Sequence, residues 1–145
     1  MGRETGYRIG MLRIWCCLLG LAVTGVAQEI QCPPTVEVRQ VATEVPPGFT
    51  PAVSATPPRL AAVAFFDGNP EEEASLVYDR LTPGRQGSRA YWTFQPNAHI
   101  WLSCSYTGTS IVLSRPLPNV TRCMVAYKRD STVAGLPEVD HVFCR

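Results

Sequence analysis

The chain has 145 residues, of which 17% are charged, and a formal net charge of +1 at pH 7. A charge so well balanced provides no basic field that would attract nucleic acid, so a nucleic-acid-binding role is excluded. The length is that of one domain, which can bury roughly two-thirds of the surface that its unfolded chain exposes.

The first 27 residues have the pattern of a signal peptide. Three arginines precede an apolar run, Trp15 to Ala27, which ends in small residues and is too short for a permanent membrane span. We therefore predict cleavage before Gln28 and a single mature domain over residues 28–145. Ten basic and eleven acidic residues remain in that domain. The predicted location is periplasmic or secreted.

Four cysteines belong to the predicted mature chain: Cys32, Cys104, Cys123 and Cys144. An even number in an exported protein favours two disulfides, whereas a zinc site would need cysteines or histidines at close spacing. A hairpin of residues 122–128 with residues 139–145 can set Cys123 opposite Cys144. We therefore expect the pairs Cys123–Cys144 and Cys32–Cys104, and no bound metal or cofactor.

The pair Cys104–Cys123 stays open as an alternative. If residues 100–106, 110–116 and 122–128 form a simple meander, these cysteines lie two strands apart. Neighbouring strands are about 4.8 Å apart, and the Cα atoms of a disulfide lie within about 7 Å. This pair would therefore require the chain to switch sheets between the two cysteines.

The elements predicted first along the mature chain are two strands and a long loop. Thr35 to Thr43 alternates apolar and polar residues, which predicts a half-buried strand. Residues 45–58 contain five prolines and are predicted to form an extended surface loop. Leu60 to Phe66 (LAAVAFF) reads as a buried strand that ends at Asp67-Gly68.

The remaining elements are predicted to be short and separated by turns. Asn69 can cap a short helical turn that begins at Pro70, and residues 82–87 (TPGRQG) have turn chemistry. Extended runs are predicted at Ser75–Tyr78, Arg89–Phe94, Ile100–Tyr106, Ile111–Leu113, Met124–Tyr127 and His141–Phe143. This pattern predicts an all-β domain, an antiparallel sandwich or partly closed barrel stapled by two disulfides.

Two histidines and one acidic loop are the candidates for chemistry. His99 and His141 could each act as a base, but no serine lies in a Gly-x-Ser-x-Gly elbow. Residues 67–73 (DGNPEEE) resemble a calcium loop in their first oxygen ligands, but Glu72 occupies the place of the EF-hand turn glycine. A solvated acidic turn is the preferred interpretation, and no catalytic residue is assigned.

Two charged loops are the predicted contact with a partner protein. They combine exposure with charged side chains that could anchor an interface, and opposite charge on neighbouring loops would orient the partner. The candidate contact residues are Asp67, Glu71, Glu72 and Glu73 in the first loop and Arg85 and Arg89 in the turn from Arg80 to Arg89.

Several motifs in a fixed order resemble those of a known family. They are Cys32-Pro33, FFDGNPEEEASLVYD, YWTF, WLSCSYTGTSIVLSRPLP, CMVAY and a terminal cysteine, with WLxCxYxxTxxxLxRxLP the most specific run. With them the chain resembles a family of small exported proteins of Gram-negative bacteria that have no established function. The resemblance implies export and supplies no catalytic residue.

These features favour a non-catalytic binding module over an enzyme. Small size, stapled strands and charged loops suit an inhibitor or immunity protein that blocks a cell-envelope enzyme, with another envelope protein as the partner. The alternative hypothesis is a small envelope hydrolase that uses His99 or His141.

Overall fold

A computed structural model describes residues 1–2, 28–53, 55–72 and 75–145, which fold into two antiparallel β-sheets. The five-stranded sheet has the order β1 (Gln28–Glu29), β9 (Leu136–Cys144), β8 (Arg122–Val133), β5 (Arg89–Thr93) and β4 (Arg80–Thr82). The four-stranded sheet has the order β3 (Ser75–Leu76), β2 (Leu60–Asp67), β6 (Ile100–Tyr106) and β7 (Val112–Pro116). The predicted all-β class is confirmed.

The N-terminal leader cannot be compared with this structure. Residues 3–27 lie outside the described residues, so the signal peptide and the domain boundary at Gln28 stay predictions. Within the described part of the chain, no helix has the length and apolar character needed to cross a membrane.

Large apolar side chains from both sheets form the core between them. Phe65 of β2 is fully buried, and its ring centroid lies 4.9 Å from that of Trp92 and 5.7 Å from that of Phe94. The indole Nε1–H of Trp92 donates a 3.1 Å hydrogen bond to the carbonyl oxygen of Leu76 in the other sheet. The two sheets are therefore joined by packing and by a satisfied polar contact.

Two disulfides staple the sandwich, and both predicted pairs are confirmed. Cys32–Cys104 connects the segment after β1 to β6 of the other sheet, with Cα atoms 5.9 Å apart. Cys123 and Cys144 are directly opposite each other in β8 and β9, with Cα atoms 4.2 Å apart. One disulfide therefore crosses between the sheets and the other lies within one sheet.

The simple meander considered for residues 100–128 is wrong. β7 belongs to the four-stranded sheet and β8 to the five-stranded sheet, so the chain switches sheets between them. The N–H of Leu117 donates to the carbonyl of Ile100 in the four-stranded sheet. The carbonyl of Thr121 accepts from the N–H of Phe94, the residue that follows β5 of the five-stranded sheet. The switch leaves Cys104 paired with Cys32, because β8 pairs with β9 and places Cys144 beside Cys123.

The strand predicted over Thr35–Thr43 is also wrong. Only Thr35 forms a bridge, to Arg59, and the N–H of Val36 donates to the carbonyl of Pro58. The facing residues Pro57 and Pro58 have no N–H to donate, so a regular ladder cannot continue along this segment. The alternating apolar pattern is present without the hydrogen bonds of a strand.

Two smaller features extend the predictions. Asn69 caps a 3-10 helix, Pro70–Glu72, because its Oδ1 accepts from the N–H of Glu71 at 3.2 Å. The β8–β9 hairpin is longer than predicted and turns at Ala134-Gly135, whose φ values are 51° and 79°. Two consecutive positive φ values are typical of the tight turns that close twisted hairpins.

The β4–β5 hairpin packs closely against β8 at Gly87. Its φ is +131°, and a Cβ at this position would lie 1.8 Å from the carbonyl oxygen of Tyr127. The N–H of Tyr127 also donates to the carbonyl of Ser88 at 2.9 Å. Only glycine therefore allows the two backbones to approach this closely.

We expect the disulfide between the sheets to stabilise the domain more than the one within a sheet. A disulfide that closes a longer loop removes more conformational entropy from the unfolded chain. The sequence separations are 72 residues for Cys32–Cys104 and 21 residues for Cys123–Cys144. Replacing both cysteines by serine should cost about 4 kcal/mol for Cys32–Cys104 and about 3 kcal/mol for Cys123–Cys144. Urea unfolding of residues 28–145 measures both, after mass spectrometry has shown no free thiol in the parent. Equal losses of unfolding free energy would contradict the expected difference between the two disulfides.

Gly87→Ala should destabilise the domain by about 3 kcal/mol or more, because it adds backbone strain and a steric clash. Gly108→Ala is the matched control, since Gly108 has φ +66° and a Cβ added there would meet no atom within 4 Å. That control should cost about 1–2 kcal/mol. Thermal unfolding followed by circular dichroism compares them, and similar melting temperatures would show that the close approach is unimportant.

Candidate functional site

The acidic loop, residues 67–73, follows β2 and is tied to the start of β6. The Asp67 Oδ1 accepts a 3.3 Å hydrogen bond from the N–H of His99, and the N–H of Gly68 donates to the carbonyl of His99 at 2.9 Å. The side chain of Glu71 is exposed, and Glu73 lies outside the described residues. Nowhere in the described ranges do histidine, cysteine and acidic residues form a group suited to hold a metal ion.

The two predicted arginine contacts lie in the β4–β5 hairpin. Arg80 and Arg89 are in strands, so the segment that was predicted as one turn is a hairpin whose loop covers residues 83–88. Arg85 is exposed in that loop, and its carbonyl accepts a 3.2 Å hydrogen bond from Nη1 of Arg129 in β8. Arg89 is the exposed first residue of β5.

The acidic loop and the arginine hairpin loop lie at opposite ends of the sandwich. β5 begins at the hairpin loop and leads through residues 94–99 to His99, which contacts the acidic loop. The five residues of β5 span about 17 Å. β5 therefore separates the two loops, whereas the predicted contact assumes that they are neighbours; the contact itself stays a prediction.

Glu138 forms a local cluster on the β8–β9 hairpin. Its Oε1 lies 2.6 Å from Lys128 Nζ, and its Oε2 accepts a 2.5 Å hydrogen bond from Ser131 Oγ. These hydrogen bonds from Lys128 and Ser131 lower the pKa of Glu138 below its ordinary value. The contacts hold the hairpin together where its register shifts between Tyr127 and Thr132, which indicates a structural role.

The two histidines are separate, and neither contacts a nucleophile in residues 28–53, 55–72 and 75–145. His141 Nδ1 lies 2.8 Å from Glu29 Oε1, and its Nε2 lies 3.6 Å from Asp140 Oδ2. His99 contacts the acidic loop through its backbone. Among the described residues, no serine hydroxyl is hydrogen-bonded to either imidazole, so the geometry of a hydrolase triad is not assembled there.

A further set of side chains shares the outer surface of the five-stranded sheet. Alternation along β5 buries Ala90 and Trp92 and directs the residues between them outward. Cross-strand pairing then aligns outward residues on four strands, because directly opposite residues lie on one face. We call this surface the arginine face: Arg80, Arg89, Tyr91, Arg122, Met124, Phe143 and Arg145.

The centre of the arginine face is a row of apolar side chains. Phe143, Met124 and Tyr91 are half-buried and are successive Cα partners across β9, β8 and β5. Arg80 continues the row on β4, with its guanidinium carbon 4.6 Å from the centroid of the Tyr91 ring. A depression of about 350 Å³ lies over this row. The arrangement can bury an apolar group and bind an acid beside it.

The guanidinium groups of the arginine face have no acidic partner within the described residues. The ion pairs in the described part of the chain involve other cations, namely Arg59, Lys128, Arg129 and His141. Two acids lie beside this surface, and both contact His141: Glu29, the Cα partner of Phe143, and Asp140. The face therefore presents exposed positive charge around an apolar centre.

Part of the arginine face is predictable from the sequence. Arg89-x-Tyr91 and Arg122-x-Met124 place an arginine and an apolar residue two apart, on the same face of a strand. The sequence pattern predicts these strands but not the single sheet that joins them. Arg80 carries no such signal, because only the β4–β5 pairing brings it to Tyr91.

Comparison with known proteins identifies the family. The family model described as "Type VI secretion system Tli immunity protein" matches residues 55–145, which include all the described strands except β1. The match supports the resemblance to a small bacterial family and adds a role that the resemblance did not supply; it does not test the WLxCxYxxTxxxLxRxLP run. No curated protein and no solved structure matches. The chain belongs to the family of Type VI secretion system Tli immunity proteins.

Proposed function

We propose that this chain is a non-catalytic immunity protein that binds and neutralises a type VI secretion effector in the periplasm. The observation that carries the proposal is the family match over residues 55–145, which is more than half of the chain. A family of immunity proteins implies a protein partner. An immunity protein acts by binding, so it needs a stable surface and no catalytic group.

The structure supports this role through its rigidity. Two disulfides and a core between two sheets hold the exposed side chains on a stable scaffold. Rigid interfaces bind with a small loss of conformational entropy. In the part of the chain that the structure describes, neither His99 nor His141 is arranged with a nucleophile, so no contact there favours the alternative hydrolase.

Two independent features support the proposed periplasmic location. Disulfides persist in oxidising compartments such as the bacterial periplasm, and the sequence predicts a signal peptide that ends at Ala27. Both would place the protein where it can meet an effector that acts on the cell envelope. A chain without residues 1–27 would stay in the reducing cytoplasm.

The proposal is tested with purified products of the genes that flank the one encoding this chain, screened for a type VI secretion effector. Residues 28–145 should bind it in calorimetry, and the full chain should protect cells that carry the effector in the periplasm. The same chain without its leader should not protect them. Absence of binding by the disulfide-bonded protein would contradict the proposed function.

A variant with alanine at both His99 and His141 separates binding from catalysis. Both imidazoles lie outside the core, so the variant should fold and keep its affinity within about threefold, which is well under 1 kcal/mol. It should also protect the cells. Loss of protection with unchanged affinity would instead indicate a histidine-dependent activity.

A further inference from the structure

We propose that the arginine face binds an acidic surface of the effector, with Tyr91, Met124 and Phe143 covering its apolar centre. This inference rests on the proposed function and adds to it the contact surface and the chemistry of the partner. It also revises the predicted contact, since Arg89 belongs to this face and the acidic loop lies at the other end of the sandwich.

The first support is the alignment of the side chains. Arg80, Tyr91, Met124 and Phe143 are Cα partners on four adjacent strands, so the row is about 14 Å long. Arg122 pairs with Thr93 on one side of the row, and Arg89 pairs with Ala126 on the other. Arginines therefore flank a half-buried apolar strip, the composition found at the centres of protein interfaces.

The second support is the charge contrast between the two outer surfaces. On the four-stranded sheet, the outward positions of β2, β6 and β7 are occupied by uncharged residues: Ala62, Ala64, Phe66, Trp101, Ser103, Ser105, Val112, Ser114 and Pro116. The five-stranded sheet has four arginines on its outer surface. Of the outward strand positions described on the two sheets, those of the five-stranded sheet therefore carry the arginines, whereas those of β2, β6 and β7 carry no charge.

The third support is the chemistry of the guanidinium group. Its planar set of donors matches a carboxylate with two parallel hydrogen bonds, and these arginines have no carboxylate partner in the described chain. Aspartate and glutamate on the effector would supply that partner. An apolar residue between those acids would fill the depression of about 350 Å³.

The size of the face also fits one part of a protein interface. Four strands, about 14 Å across, and the length of β5, about 17 Å, give a flat area of roughly 240 Å², against about 800 Å² per partner in a standard interface. The hairpin loop with Arg85 adjoins this sheet and extends the same positive surface. The face and the hairpin loop therefore supply one part of such an interface.

The test compares two double charge reversals in residues 28–145. Arg89→Glu with Arg122→Glu alters the arginine face, and Arg39→Glu with Arg115→Glu is the control with the same change in net charge. All four side chains are exposed. Calorimetry against the adjacent-gene effector should show affinity reduced at least tenfold by the first pair and less than threefold by the second. Equal effects would overturn the proposal.

A variant that adds no negative charge distinguishes loss of the contact from loss of folding. Arg80→Gln with Arg122→Gln removes charge without adding acids, and it should also weaken binding while the melting temperature stays close to that of the parent. The affinity of the parent should fall as sodium chloride rises, and that dependence should be smaller in this variant. An unchanged salt dependence would count against charge pairing at this face.

Charge reversal in the acidic loop tests the alternative contact surface. Glu71→Lys with Glu72→Lys and Glu73→Lys should retain affinity within about threefold if the arginine face is the contact. Strong loss in this variant, with no loss in the arginine variants, would move the contact to the acidic end. That result would overturn this inference and leave the proposed function intact, whereas an effector that does not bind the parent would overturn the proposed function.

Anionic lipid is the other source of acidic groups. Each arginine near an anionic membrane contributes about 1 kcal/mol, so the four arginines of the face give only about millimolar affinity. Vesicles of phosphatidylglycerol should therefore not measurably bind residues 28–145 at physiological salt. If the vesicles bind the parent and not the Arg89→Glu, Arg122→Glu variant, while effector affinity is the same for both, the face recognises lipid and the proposal is wrong.

Discussion

The contact between Phe65 and Trp92 determines which side chains the five-stranded sheet presents to solvent. Phe65 is fully buried, and its ring packs against Trp92 from the opposite sheet. Side chains alternate along a strand, so an inward Trp92 forces Tyr91 and Thr93 outward. A one-residue slip of β5 would bury Tyr91 and expose Trp92. Core packing thus fixes the register on which the arginine face depends.

Local patterns in the sequence predicted the strands better than their partners. The alternation in Arg89–Phe94 and the apolar run in Leu60–Phe66 correspond to β5 and β2, because burial acts on side chains close in sequence. The Cys123–Cys144 pair was predictable because one hairpin brings both cysteines together. β1 and β4 were missed, since such short edge strands depend on distant partners. Arg80 joined the candidate site only through that pairing.

Stability and the proposed recognition depend on different parts of this sandwich. The disulfides and the aromatic core lie between or within the sheets, whereas the arginine face looks outward from one of them. Exposed arginines without acidic partners cost the free protein little, because water solvates them. An effector without matching acids would remove that water and leave guanidinium groups unpaired, which is strongly unfavourable. The same surface therefore selects against wrong partners.

The separation of the acidic and basic loops places negative charge at one end of the sandwich and positive charge at the other. The acidic loop follows β2 beside His99, and the arginine hairpin loop lies at the other end of β5, a strand about 17 Å long. That strand length exceeds the Debye length of about 8 Å at physiological salt, so the two charges act nearly independently on an approaching partner. An acidic partner is attracted by one end and repelled by the other. With docking on the arginine face, the acidic loop influences the orientation and rate of approach, whereas the arginines and the apolar row determine how long the complex lasts.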